Sequence, residues 1–168
     1  MTAVIETPKG SPNKYKFDEK GCFFRLGIVL PKGSYFPYDF GFIPSTRGED
    51  GDPLDVLVLM DDPAPVGCVL TVRLIGAIEA EQREKDGEWE RNDRLLAVAC
   101  KSHLHGHVQD LDGLRPNLLE EIEAFFSYYN SQRGKKFKPL RRVGRSKAGK
   151  LVQRGVASFE QRAKQPKQ

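Results

Sequence analysis

The densest chemistry in the sequence lies in Asp50-Gly51-Asp52-Pro53-Leu54-Asp55, where three carboxylates fall within six residues. Asp is the short, hard oxygen ligand that Mg²⁺ prefers. Gly51 lets the backbone turn so that neighbouring carboxylates converge, and Pro53 stiffens the entry into an apolar run ending at Met60. By strand alternation Asp55 shares a face with Leu57 and Leu59, opposite Leu54, Val56 and Val58. Whichever face is buried, the strand carries an acid into an apolar setting, where an unpaired charge is costly and a cation offsets the cost. On composition and spacing alone two readings stay open, a metal site and an acid-glycine turn at the solvated rim of a strand.

More acids recur at Glu79, Glu81, Glu84, Asp86, Glu88, Glu90 and Asp93. Most read as the solvated face of a hairpin whose two-residue turn is Asp86-Gly87. Asp86 then reads as a turn residue and Asp93 as a strand-end cap. Groups able to hold phosphate stand at Lys14, Lys16, Arg25, Tyr129, Lys135 and Lys136. Singly each reads as surface or, for Tyr129, as helix core; together they suit several Mg²⁺ ions and cationic side chains gripping a small polyanion.

Three other patterns fail on their context. Gly144-Arg-Ser-Lys-Ala-Gly149-Lys150 has the glycine and lysine spacing of a Walker A loop, but Leu151 replaces the required Ser or Thr, and basic residues precede it where a buried strand should lead in. His103, His105 and His107 would share one face if extended and could bind zinc. Gly106 weakens a strand there, no further ligand is near, and a surface or subunit-contact role is preferred. Asp50, Asp52 and Asp55 do not make a calcium loop, because Asp55 occupies the position that needs glycine.

The elements that must position these residues come in two blocks. Residues 14–18, 23–30, 54–60, 67–84 and 94–100 are rich in β-branched and apolar residues and are punctuated by Gly, Pro and Asp, predicting strands. Leu118, Leu119, Ile122, Phe125, Phe126 and Tyr129 fall on one helical face, with Pro116 near the start. A second helix is predicted after Ser146, where Ala148, Leu151, Val152, Gly155, Val156 and Phe159 make an apolar stripe on a basic segment. Strands first and helices last indicate an α+β fold, a barrel or rolled sheet covered by one or two helices. A single domain over 1–168 is expected, with a frayed tail from about residue 160.

The 168 residues carry a net charge of +4, and 39% of them are hydrophobic, which suits one ordinary domain with a real core and excludes wholesale disorder. No apolar run reaches the roughly 18 residues of a membrane span, and the N-terminus lacks the pattern of a secretory signal. Cys22, Cys68 and Cys100 are odd in number and widely spaced, which fits a reducing cytosol. The charge is divided, with residues 133–168 carrying +12 and residues 1–132 carrying −8. Either the basic segment binds a polyanion, or acids for metal and bases for phosphate meet in one site.

At the Asp50–Asp55 hexapeptide the chain resembles soluble family I inorganic pyrophosphatases, whose signature is matched at every position. Support extends to Val4-Ile-Glu6 with Lys14-Tyr15, to Phe36–Pro44, and to Phe125–Tyr129 before Gly134-Lys-Lys136. The resemblance runs from about Val4 to Phe159. It implies a small closed, OB-like β-barrel with two flanking C-terminal helices, and hydrolysis of diphosphate to two phosphates with several Mg²⁺ ions, Mn²⁺ being an alternative. It further implies a cytoplasmic homo-oligomer, a hexamer by preference, with neither membrane nor nucleic acid as partner. Asp50, Asp55 and Asp93 would bind the tight metal pair, and Asp52 would hold or deprotonate the attacking water. Glu6 and Asp86 would serve the metals that arrive with substrate, and Lys14, Arg25 and Tyr129 the phosphoryl oxygens.

Several positions depart from the family pattern. Phe40 stands in place of a tyrosine, Lys16 in place of an acid, Arg94 in place of a lysine, and Asn130 in place of a phosphate-binding lysine for which Lys135 or Lys136 could substitute. The pattern needs a one-residue insertion at Asn92-Asp93, and the Lys32-Gly33-Ser34 loop makes Lys32 a rival of Arg25. The metal core survives and the phosphate rim is altered. Two alternatives remain, a related phosphoanhydride hydrolase and a non-catalytic polyanion-binding protein on the same fold. The intact aspartate triad argues against the second.

Overall fold

The computed structural model describes residues 1–164 and turns each predicted strand into a strand, with shifts of one or two residues at the ends. In chain order these are β2 (Asn13–Asp18), β3 (Phe23–Val29), β5 (Asp55–Leu59), β6 (Val69–Arg83) and β8 (Arg94–Ala99). Four more strands complete the set: β1 (Thr2–Thr7), β4 (Asp39–Phe42), β7 (Glu90–Arg91) and β9 (Lys136–Gly144). The helices are α1 (Leu118–Ser131) and α2 (Arg145–Ala163).

Strand pairing runs β1–β4–β5–β8–β6 and returns to β1, so five strands close into a ring. Only β5–β8 is parallel. The long β6 can serve four partners because irregularities at Leu74/Gly76 and Glu79/Ala80 bend it. The α+β expectation holds, with the curled sheet and two flanking helices in place. β2 and β3 form a separate ribbon, tied to β1 where Tyr15 N donates to Thr7 Oγ1 (3.2 Å) and Phe17 N to Glu6 Oε1 (2.7 Å).

Both faces of β5 are buried, which its unbroken apolar run demands. Leu57 and Leu59 join a core with Leu96, Val98, Ile122 and Phe126, on the α1 side; Val56 and Val58 join a second core with Leu95, Ala97, Ala148 and Leu151, on the α2 side. In α1 the buried positions Leu118, Ile122, Phe126 and Tyr129 make the predicted stripe.

Three local expectations change. The hairpin after β6 is not a two-residue turn: β7 begins only at Glu90, Gly87 N donates to Glu84 O (3.2 Å), and Gly87 lacks the positive φ that a type I′ turn needs. A strand does lead into the Walker-like segment, since β9 runs directly into α2. There is no intervening loop to cradle phosphate, because the helix begins at Arg145. α2 also continues to Ala163, so fraying does not begin at 160, and the remainder of that expected tail, 165–168, lies outside the described residues.

Candidate active site

The Asp50–Asp55 segment connects β4 to β5 and is pinned at its base. Ile43 N donates to Leu54 O (3.0 Å), Leu54 N to the buried Thr46 Oγ1 (3.0 Å), and Gly48 N to Asp52 O (2.8 Å). Gly51 takes a left-handed φ of 85°, the turn its lack of Cβ permits. From the far side α2 locks the loop, with Arg47 N donating to Gly155 O (2.9 Å). A Cβ at Gly155 would meet Leu54 Cδ1 at 2.7 Å, so glycine allows this approach without a shift of Leu54.

The loop, β1, β2, the end of β6 and the C-terminal end of α1 enclose a cavity of about 340 Å³. It gathers seven of the expected site residues: Glu6, Asp50, Asp52 and Asp55 as acids, with Lys14, Tyr129 and Lys135. Lys14 Nζ lies over the rings of Phe40 (4.9 Å) and Tyr129 (5.6 Å). Tyr129 is buried, and its hydroxyl accepts from Arg133 NH1 (3.0 Å). Lys135 pairs with Glu84. Phe40, where a hydroxyl was expected, is wholly core and supplies a ring face to Lys14. Asn130 is turned inward and its side-chain amide donates to Phe126 O (2.8 Å); of the two lysines expected to substitute for it, Lys135 lines the cavity and Lys136 does not.

The acids are held against protein cations. Asp55 Oδ2 lies 2.6 Å from Arg94 NH1, and Asp52 Oδ2 lies 2.6 Å from Lys16 Nζ. Arg94 is 3% exposed and its guanidinium lies 4.8 Å over the Phe126 ring. The cation that the acid on β5 calls for is therefore first of all an arginine, one register step before the Val56–Leu95 pair of the parallel strands. Asp50 stands at an exposed rim, yet burial of its carboxyl under the turn, with the charges of Asp55 and Asp52 adding, pushes its pKa up to about 6. Burial likewise raises Glu6, against the opposing bond from Phe17 N. Partial burial opposes the charge of Lys16, but bonding to Asp52 outweighs it and raises the lysine.

Four expected residues stand elsewhere. Asp93 turns away from this cavity: its Oδ1 accepts from Ala80 N (3.0 Å) and lies 2.8 Å from Arg91 NH2. It lines a neighbouring cavity of about 380 Å³ that Asp50 and Asp55 also border. Asn92, one residue earlier in the link between β7 and β8, borders both cavities, and its Oδ1 takes a bond from Arg94. Asp86 sits exposed in the turn after β6, off the cavity. Arg25 is drawn to Asp18 (2.7 Å) and lies over the Phe23 ring (4.6 Å), outside the cavity as Lys32 also is. Lys136 opens β9 on an exposed position. Residues the sequence reading did not assign to the site are Gln82, Glu84, Glu90, Asn92, Arg94 and Arg133. For Arg133 a signal existed, its spacing of four from Tyr129 at the end of α1.

The histidine segment is a series of turns rather than a strand. Asp61 accepts from the N–H groups of His103 (2.9 Å) and Leu104 (3.1 Å) and from the Ser102 hydroxyl. Among the described residues no three carboxylate, imidazole or thiol groups come close enough to share one ion. The donor set at the cavity nevertheless suits Mg²⁺ in kind, being carboxylates without imidazole or thiol.

Known proteins resemble this chain over most of its length. Residues 3–160 match the family model described as inorganic pyrophosphatase. The inorganic pyrophosphatase of Synechocystis is 41% identical over 131 residues, covering 78% of this chain and 75% of that protein. That of Thermus thermophilus is 39% identical over 141 residues, 84% of this chain and 78% of the relative. The crystal structure of inorganic pyrophosphatase from Thermus thermophilus superposes with a TM-score of 0.86 at 34% identity, covering 95% of this chain and 91% of that one.

Proposed function

Because this chain belongs to the inorganic pyrophosphatase family, we propose that it hydrolyses diphosphate to two phosphates, using Mg²⁺ or, as an alternative, Mn²⁺. The carrying observation is that one cavity sets Glu6, Asp50, Asp52 and Asp55 against Lys14, Tyr129, Arg133 and Lys135. Diphosphate is a dense anion that repels a nucleophile, so its charge must be met before water can attack. Bound divalent ions supply that neutralisation and lower the pKa of a bound water. Asp50, Asp55 and Glu6 are the residues to hold them. Asp52 orients the water and takes its proton. Lys14, Arg133 and Lys135 draw charge off the phosphoryl oxygens, and the Tyr129 hydroxyl donates to one of them. No nucleophilic side chain is needed.

The test is phosphate release from diphosphate, ATP and tripolyphosphate, each with and without Mg²⁺. Release from diphosphate that requires Mg²⁺ is expected, with Asp52→Asn slower by about 10²–10⁴-fold, the range of lost proton transfer. An Asp52→Asn variant as fast as the parent overturns the role of Asp52. No release from diphosphate under any divalent metal overturns the activity.

The reading extends to the molecule's setting. The chain acts as one domain and as a hexamer in the cytoplasm. Exposed Leu26 and Val29 on β3 and Leu104 near the histidines support apolar contact between copies, and the three free cysteines support a reducing compartment. No helix of the described residues is long and apolar enough to cross a membrane.

A further inference from the structure

Two cavity acids, Asp52 and Asp55, are each met by a protein cation at 2.6 Å, and the two pairs differ in kind. Arg94 is fixed: its guanidinium is buried between the rings of Phe126 (4.8 Å) and Phe137 (5.4 Å) and also donates to Asn92 O (3.1 Å). Lys16 is not. Its side chain is 60% exposed, that of Asp52 55%, and Asp52 is the one carboxylate it pairs with. The backbone of β2 on either side is held, by Thr7 at Tyr15 N and by Glu6 at Phe17 N. The ammonium therefore leaves Asp52 by rotation of its own stem, without moving the strand. Lys14, two residues earlier and on the same strand face, lies over aromatic rings, so the pairing with Asp52 belongs to Lys16 alone.

From this we propose that Lys16 is a tethered, displaceable counter-ion. It covers Asp52 while the site lacks a divalent cation, opposes with its charge the entry of that cation beside Asp52, and turns to the anion once displaced. The proposal rests on the functional reading above for the nature of the anion, and on the geometry alone for the competition. Removing the ammonium should leave the charge of Asp52 unopposed and so favour the metal held beside it by Asp50, Asp55 and Glu6. A surface pair of this kind is weak, so the gain should be modest, about two- to fivefold in affinity.

The experiment is titration of the metal-free protein with Mn²⁺ alone, followed by calorimetry or by the electron paramagnetic resonance of free Mn²⁺. Parent, Lys16→Gln, Lys16→Arg and Lys32→Gln are compared, the last removing an exposed lysine outside the cavity. Tighter binding by Lys16→Gln, with Lys16→Arg and Lys32→Gln both at the parental level, supports the proposal. Unchanged or weaker binding by Lys16→Gln overturns it, as does an equal gain from Lys32→Gln, which would mark a bulk charge effect. Absence of Mn²⁺ binding in every variant overturns it too. Absence of diphosphate hydrolysis by the parent, with the Lys16→Gln gain intact, would sink the enzymatic reading and leave the competition standing.

Discussion

At the scale of single residues, Asp50 is the carboxylate least at ease in the metal-free protein. Its pKa of about 6 lies above the ordinary 3.8, so the folded chain retains a proton that the unfolded chain releases between those values. Stability tied to that proton is complete below about pH 3.8 and is lost as pH rises through 6. In chelator, Asp50→Asn should therefore melt at a higher temperature than the parent, with a gap that opens between those two pH values and stays constant above. A gap equal at pH 4 and pH 7 contradicts the assignment. The spacing of Asp50, Asp52 and Asp55 exposed this centre in the sequence because short acids beside Gly51 have little else to do before a buried strand. Asp93 borders the neighbouring cavity together with Asp50 and Asp55, and how the Asn92-Asp93 link between β7 and β8 turns is a matter of tertiary packing that no local pattern reports. Arg94 was visible as a departure from a pattern but not as the partner of Asp55, since that contact depends on β5 and β8 lying side by side.

Among the elements, α1 was legible because its stripe of Leu118, Ile122, Phe126 and Tyr129 repeats with the helical period and faces a single core. β9 was not. It buries only Phe137 and Val143 among bases, and Pro139 interrupts it. As an edge strand paired to β6 alone, it tolerates proline at an irregularity, where Ala80 pairs with Pro139 and Glu79 with Arg141. The contact of α2 with the aspartate loop is the element-scale feature most open to test. Gly155→Ala places a Cβ 2.7 Å from Leu54 Cδ1, so the helix must lift or Leu54 must move. Overpacking of this sort costs about 1–3 kcal/mol. Denaturant unfolding should show that loss, and Mn²⁺ affinity should fall with it because the loop loses its rear support. A variant as stable as the parent would mean that the helix yields without cost.

For the molecule as a whole, the division of charge along the sequence becomes a set of contacts across space. Arg141 pairs with Glu79, Arg142 with Glu120 and Glu123, and Lys135 with Glu84, so the first part of the basic segment, at and just before β9, is stitched onto the acidic body. The exposed apolar residues on β3 are the surface that the proposed contact between copies would use. Static light scattering should report about six copies of the 18.9 kDa chain, and a monomer at micromolar concentration would reject the hexamer. The docking of α2 has a further consequence, for the order in which the protein comes into being. The amide of Arg47 waits for the carbonyl of Gly155, which leaves the ribosome more than a hundred residues later. Domains form from the N-terminus as synthesis proceeds, yet here the acidic loop gains its rear wall only from α2, more than a hundred residues downstream. A nascent chain is therefore an unfinished catalyst until α2 emerges, and the site ripens only then.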